Sequence, residues 1–402
     1  MNLWTFAKKH KGMVTFGFCT TFFVGIGQTF LVAQFSPFIQ EGLSISRTDI
    51  SFVYSLATFI ASFNLTYIGS LLDRMSLLRY FFIVATLICA GLLTISQATN
   101  IVALFVGFYL LRGFGQVPLG LMATTVAARW FGKHRGKLLT LIGFGRSLSE
   151  GVLPFLSIIF IESFGWRNSL IGIMLVFLII MVPVALYFIP KTPKKALYEE
   201  NVKTADKEQV VWGWRKAVGH KWPMLLMINN ALIPFILTAL FFQQDSLAQF
   251  KGWNMRTMAQ SFIAFSAVHI CGNIFWGPLV DRVTAKKVLP FTLIPFLLGL
   301  LCLYFIQASW GAFAYMGLVG LSVGVSGIVR NAFWAEVYGL LVLGKMKGMD
   351  SNVIVIGTSL APIFYAKILE LGIGVEQILQ IFIGLTLLGI CNHVFISRHY
   401  NR

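Results

Sequence analysis

The chain has 402 residues, 57% of them hydrophobic and 12% charged, against about 25% charged in an ordinary soluble domain, which excludes a soluble fold. Its net charge of +17 does not mark a nucleic-acid binder. With the N-terminus placed in the cytoplasm, 24 of the 32 Lys and Arg fall on that side, and the other 8 fall outside or within apolar stretches. This is the positive-inside bias of an integral membrane protein.

Twelve apolar stretches are predicted, each reaching the roughly 20 residues that a helix needs to cross the hydrocarbon core. The first, near 13–37, is too long for a secretory signal, is expected to be retained, and carries Gln28 and Gln34. The second, 49–71, carries Asn64 and ends in Gly69-Ser-Leu-Leu-Asp73-Arg74, with Arg79 beyond. A third covers 80–98. The fourth, 101–127, places Arg112 about midway, within Arg112-Gly-Phe-Gly115-Gln116. The fifth, 138–160, follows Ala128-Arg-Trp130-Phe131-Gly-Lys133-His-Arg135-Gly136. It carries Arg146 and Glu150, four apart and so on one helical face. The sixth covers 168–190.

A polar interval from Lys191 to about Lys221 then separates six stretches from six. The expected organisation is a bundle over 1–195, a cytoplasmic linker over 196–220 and a second bundle over 221–402. The linker ends in Val210-Val-Trp-Gly-Trp214, alternating with bases up to Trp222, as suits a segment at headgroup level. The seventh stretch, 222–243, holds Asn229 and Asn230. The eighth, 258–280, holds His269 and Asn273 and runs into Asp281-Arg282, with Lys286 and Lys287 beyond. The ninth covers 288–307. The tenth, 310–334, carries Arg330 and Asn331, and 350–369 and 376–396 complete the set. An even number of crossings returns the C-terminus to the cytoplasm.

The motif at Gly69 returns half a chain later as Gly277-Pro-Leu-Val-Asp281-Arg282, and Arg47-Thr48 upstream returns as Arg256-Thr257. A period of half the chain, carried on hydrophobic helices, is expected of a transporter built from two similar bundles. Small-residue stripes, Gly317/Gly320/Gly324/Gly327 in the tenth stretch and Gly136/Thr140/Gly143/Ser147/Gly151 in the fifth, predict close helix contacts. The five cysteines all fall in apolar segments and read as membrane-core residues.

Ionisable groups in mid-span are costly and normally face a cavity or a partner. Arg112, Arg146, Arg330 and Glu150 leave an excess of two positive charges, which in a low-dielectric cavity attracts an anion; guanidinium groups match carboxylates bidentately. Glu150 is alternatively a proton site, or one half of a closed pair with Arg146. Arg330 alternatively snorkels to the inner interface. Gln28, His269 and Asn273 are weaker polar candidates; a membrane His also serves as a plain helix contact.

Gly69-x-x-x-Asp73-Arg74-x-x-x-x-Arg79 resembles the loop 2–3 signature of the major facilitator superfamily, and Asp281-Arg282 with Lys286 and Lys287 resembles its half-kept copy in loop 8–9. Arg112-Gly-Phe-Gly115-Gln116 is similar to the fourth-span signature. The approach to the fifth span, and Trp334-Ala-Glu336-Val-Tyr338-Gly339, resemble the monocarboxylate-porter-like branch of bacteria. The branch's span-one lysine is absent, Gln28 being the polar residue there, and the eighth span offers His269 and Asn273 in place of an acid–arginine pair. Ser76 stands where the loop signature has a second glycine. The resemblance implies an all-α membrane fold of twelve helices in two pseudo-symmetric six-helix bundles. It also implies a cytoplasmic latch at Asp73, Arg74 and Arg79, and a second copy at Asp281 and Arg282. An Asp at a span's end can accept hydrogen bonds from a neighbouring helix N-terminus, although such a cluster also sets topology.

Gly339-Leu-Leu-Val-Leu-Gly344-Lys345-Met346 nearly spells a phosphate loop, but Met stands where a hydroxyl holds magnesium and no strand precedes it. Neither a zinc motif nor a nucleophile elbow is present, so no enzyme and no cofactor is expected. The expected function is a secondary active carrier of a small organic anion such as a monocarboxylate, alternating access in a bacterial-type inner membrane, with proton symport preferred on Glu150. The expected partners are a small-molecule substrate, a coupling proton and the bilayer, and the expected state is a monomer. A cationic-drug exporter, marked by unpaired acids, and a nontransporting nutrient sensor, marked by a long signalling tail, are the alternatives.

Overall fold

The computed structural model describes residues 5, 8, 10–131, 135–189, 221–339 and 343–401, all in helices, turns and short connections, with no strand among the described residues. The chain divides into two compact units, 1–207 and 208–402. The linker expected over 196–220 lies outside the described residues.

In the first unit, span one runs over Lys11–Leu43 and is not one helix. Lys11–Phe23 is followed by a 3₁₀ turn, Val24–Gly27, then an extended Gln28 (φ −89°, ψ 152°), and the helix restarts at Thr29–Leu43. Two glycines in four residues, Gly25 and Gly27, lower the cost of leaving helical geometry there. Span two is Arg47–Arg74 and span three Leu77–Ser96. Span four is also interrupted: Ile101–Leu110 leads into a π-helical turn, Leu111–Gly115, before Pro118–Phe131. The stretch Arg135–Phe188 has 54 residues, about 80 Å at 1.5 Å per residue, far more than one crossing needs. Gly165 (φ 76°, ψ 160°) breaks it into spans five and six.

The second unit holds span seven, Lys221–Phe242, and a short helix, Gln244–Lys251, ahead of span eight, Met255–Val283. Span nine starts at Ala285–Val288, passes a 3₁₀ turn and continues as Ile294–Phe305. Trp310–Tyr338, Leu343–Glu370 and Val375–Asn401 are spans ten to twelve. All twelve expected crossings are therefore helical.

The sequence repeat has a structural meaning at its upstream end. Ser46 accepts from Asp49 N at 3.0 Å, with Asp49 Oδ2 accepting from Ser46 N in return. This capping box starts span two. Asn254 accepts from Thr257 N at 2.6 Å and starts span eight. Each N-cap follows a left-handed residue two positions back, Ser44 (φ 52°) and Gly252 (φ 66°). At the other ends of the hairpins, Arg167 donates to Ser96 O (2.6 Å) and Ala98 O (2.9 Å), covering the end of span three. Lys251 donates to Tyr304 O (3.0 Å) at the end of span nine.

Small residues bring spans together as expected in part. Gly320 and Gly324 lie against the backbone of span eight at Phe265 and His269, so the stripe in span ten is a contact face. The stripe expected in span five is split, with Ser147 and Gly151 buried and Gly143 exposed. Gly143 has nothing nearby, and span one approaches instead at Gly145, beside Phe18 and Thr21, and at Ser149, beside Gly25. Thr21 Oγ1 donates to Ile142 O across the same contact. All five cysteines are free; Cys271 and Cys391 are exposed and the others half-buried. Large apolar side chains such as Phe63, Ile179, Phe275 and Phe305 are exposed, a surface that hydrocarbon rather than water accepts.

Candidate functional site

The break in span one and the π turn in span four lie against each other. A Cβ on Gly27 would come within 2.5 Å of Gln116 N and 2.7 Å of Leu111 O, and a Cβ on Gly115 within 3.1 Å of Gly27 Cα. Only glycines permit that approach. The π turn carries Arg112, which is 3% exposed. Its Nη1 donates to Gly27 O at 2.7 Å and its Nε to Thr58 Oγ1 at 3.1 Å, while the guanidinium carbon stands 5.3 Å from the Tyr54 ring centroid. The Tyr54 hydroxyl shares a 2.9 Å hydrogen bond with Thr29 Oγ1. Among the described residues no carboxylate pairs with Arg112. Its charge is held by a carbonyl, a hydroxyl and an aromatic face alone.

The Gly27 carbonyl is available because of the break. In an unbroken helix it would accept from Leu31 N, which instead bonds to Gln28 O at 3.2 Å. Gln28 is 9% exposed, and its Nε2 is buried without a hydrogen-bond partner. Thus Gln28 and Arg112, read separately from the sequence, come together at one point halfway along their spans.

Arg146 and Glu150 pair on span five as their spacing requires, at 3.4 Å, with side chains 56% and 9% exposed. In the second unit, Arg330 lies 3.7 Å from Asp350 Oδ2, the carboxylate being 4% exposed. Asp350 Oδ1 accepts from Asn230 Nδ2 (3.0 Å) and Oδ2 from Trp334 Nε1 (3.2 Å). Spans seven, ten and eleven are joined there. Arg330, one of the mid-span cations read from the sequence, thus has a carboxylate beside it, and counting Asp350 lowers the excess of two mid-span positive charges to one. Sequence reasoning missed Asp350 because it opens the eleventh apolar stretch; the helix starts at Leu343 and carries it about two turns inside.

His269 and Asn273 share one face of span eight, against Gly324 of span ten, and the His269 ring meets Phe265 edge-on at 5.7 Å. Asn273 is exposed. Of the residues in the two loop motifs, Gly69 packs near Leu121, Arg74, Arg79 and Arg282 are exposed, and Arg79 N donates to Ser76 Oγ at 3.3 Å. Ser76 therefore serves as the N-cap of span three. The side chains of Asp73 and Asp281 lie outside the described residues. Glu336 accepts from Ala285 N (2.8 Å) and Lys286 N (3.4 Å), holding the start of span nine just beyond Arg282.

The family profile of the Major Facilitator Superfamily matches residues 17–268. The chain belongs to that superfamily. It is a multi-pass integral membrane protein with the superfamily's all-α fold. Monocarboxylate transporter 7 of Homo sapiens is 26% identical over 197 residues, 48% of this chain and 37% of that protein, so the chain matches little more than a third of this relative's length. Two solved structures share the fold along nearly the whole length. A bacterial homolog of the human lysosomal transporter Spinster aligns with a TM-score of 0.72 at 12% identity, covering 96% of this chain and 97% of that one. The nucleoside transporter NupG aligns with a TM-score of 0.70 at 16% identity, covering 98% and 99%.

Proposed function

We propose that this superfamily member is a secondary active carrier of a small organic anion, with monocarboxylates the first class to try, working by alternating access. The observation that carries this reading is Arg112: a buried cation halfway along a span, held by neutral groups. Burying a charge costs several kcal/mol or more unless it is compensated, so keeping one there without a carboxylate calls for a functional reason. An incoming carboxylate supplies the missing charge. The likeness to a monocarboxylate transporter supports the same class.

Proton symport through Glu150 completes the proposal, on the grounds that this acid is nearly buried on span five beside Arg146. We place both termini in the cytoplasm of a bacterial-type inner membrane, on the positive-inside charge distribution, and take the protein to work as a monomer. The latch formed by Asp73, Arg74 and Arg79, with its copy at Asp281 and Arg282, belongs to the same proposal. A cation exporter would draw on a free acid. Among the described residues Asp350 is the least exposed acid of the second unit, and both its oxygens already accept hydrogen bonds.

Uptake of radiolabelled lactate and pyruvate into proteoliposomes at two external pH values tests the proposal. Faster uptake at the lower pH, abolished in R112A that still folds, is expected. Extrusion of cationic dyes with no movement of either anion would overturn it.

A further inference from the structure

We propose that the break in span one is itself a carboxylate subsite, in which Gln28, Arg112 and the N-terminus of Thr29–Leu43 hold one carboxylate group that takes the place of the Gly27 carbonyl on Arg112. The inference rests on the organic-anion reading and adds to it the binding point and a residue that recognises the substrate.

Three independent features converge on the Gly27–Gln28 step, and each offers a donor or a positive field. Arg112 brings a full charge through a bond to the Gly27 carbonyl, so it lies within one residue of Gln28. The helix that restarts at Thr29 runs for 15 residues to Leu43, and no side chain caps its N-terminus. Such an end carries about half a positive charge and amides lacking helical acceptors. Gln28 is the N-cap residue, more than nine-tenths buried, and its Nε2 has no acceptor. A buried amide donor left unsatisfied is costly, so a ligand that satisfies it binds more tightly than one that cannot.

The ligand class follows from this chemistry. A cation meets repulsion from both Arg112 and the helix end. A neutral solute meets donors but leaves the guanidinium's charge uncompensated. A carboxylate answers all three, with two oxygens that accept in one plane from a guanidinium and an amide. Tyr54 and Thr58 hold the guanidinium in place from span two.

Binding there also changes span one. When the carboxylate takes Nη1 of Arg112, the Gly27 carbonyl loses its partner. The nearest replacement in the chain is the amide of Leu31, now spent on Gln28 O. Recovering it draws Gln28 towards helical geometry, so occupancy of the subsite is linked to the bend of the span.

The test uses the full-length protein in nanodiscs, titrated with lactate, pyruvate and benzoate, with lactamide and uridine as neutral controls. Wild type, Q28A and Q28E are compared by thermal shift and by uptake in proteoliposomes. At least one carboxylate should stabilise the wild type and the neutral controls should not. Q28A should weaken that carboxylate's affinity tenfold or more. Q28E should melt higher than wild type without ligand, because the introduced carboxylate becomes an internal counter-ion for Arg112, and should lose its response to carboxylates. Normal carboxylate binding and transport in both variants overturns the subsite and leaves the anion-carrier reading standing. A wild type that binds uridine or lactamide, and no carboxylate, overturns both.

Discussion

The two halves of this chain begin their second and eighth spans alike and treat their mid-span arginines in opposite ways. Ser46 and Asn254 cap equivalent helices after equivalent left-handed turns at Ser44 and Gly252. Yet Arg112, on span four, is held by neutral groups beside a broken span one, whereas Arg330, on span ten, sits beside a buried Asp350, and span seven runs unbroken from Lys221 to Phe242. The corners that set topology have kept one form in both halves. The mid-span arginines have not: Arg112 is held by neutral groups, and Arg330 sits beside a carboxylate.

Removing Asp350 should have the largest effect on stability. D350A strands Arg330, Asn230 and Trp334 together, at a cost of about 3 kcal/mol, since breaking a buried pair costs more than the pair contributes. A large fall in melting temperature in detergent, about half as large in D350N, is expected; wild-type melting of both would mean that the second half does not depend on its pair. The comparable lesion in the first half is G27A. Its new methyl meets backbone at Gln116 and Leu111, atoms that cannot swing aside, so about 2 kcal/mol should be lost. An unchanged melting temperature would show that the breaks in spans one and four need not touch.

Smaller differences sharpen the comparison at the hairpin ends. Arg167 serves two carbonyls and Lys251 one. R167A should therefore cost about 2 kcal/mol and K251A about 1, at about 1 kcal/mol for each hydrogen bond lost. Equal losses in chemical denaturation would remove that asymmetry. The smallest effect is expected at Gly327, which lies on the span-ten stripe but has nothing within 4 Å of an added Cβ. G327A should gain up to about 1 kcal/mol from helix propensity, and a loss there would mean the stripe is a contact face along its full length.

How much of this was legible in the sequence depends on whether the deciding interaction is local. The repeat, the crossings and the Arg146–Glu150 pair were legible because each follows from runs of apolar residues or from spacing along one helix. Arg112 was legible as a mid-span charge, but its partners Thr58 and Gly27 lie on other spans, and nothing in composition names them. The break at Gln28 left two signs: span one occupies 33 residues, more than a straight crossing needs, and two glycines sit in its middle. Asp350 was hidden because a carboxylate at the edge of an apolar run resembles one at the headgroups, and only the earlier helix start at Leu343 takes it inside. The span-five stripe was legible in part, Ser147 and Gly151 being buried and Gly143 exposed, because periodicity reports which residues share a face, not which neighbour that face meets.

Arg112 also has an electrical consequence. An elementary charge moved across the whole membrane at 100 mV exchanges about 2.3 kcal/mol with the field. Shifting the empty site by a tenth of the thickness therefore exchanges about 0.2 kcal/mol, whereas the same shift with a carboxylate seated against the guanidinium exchanges almost nothing. Carried alone, a carboxylate should leave the loaded passage nearly indifferent to voltage and the unloaded return sensitive to it; a proton taken up with it restores the unit charge, and both passages then feel the field alike.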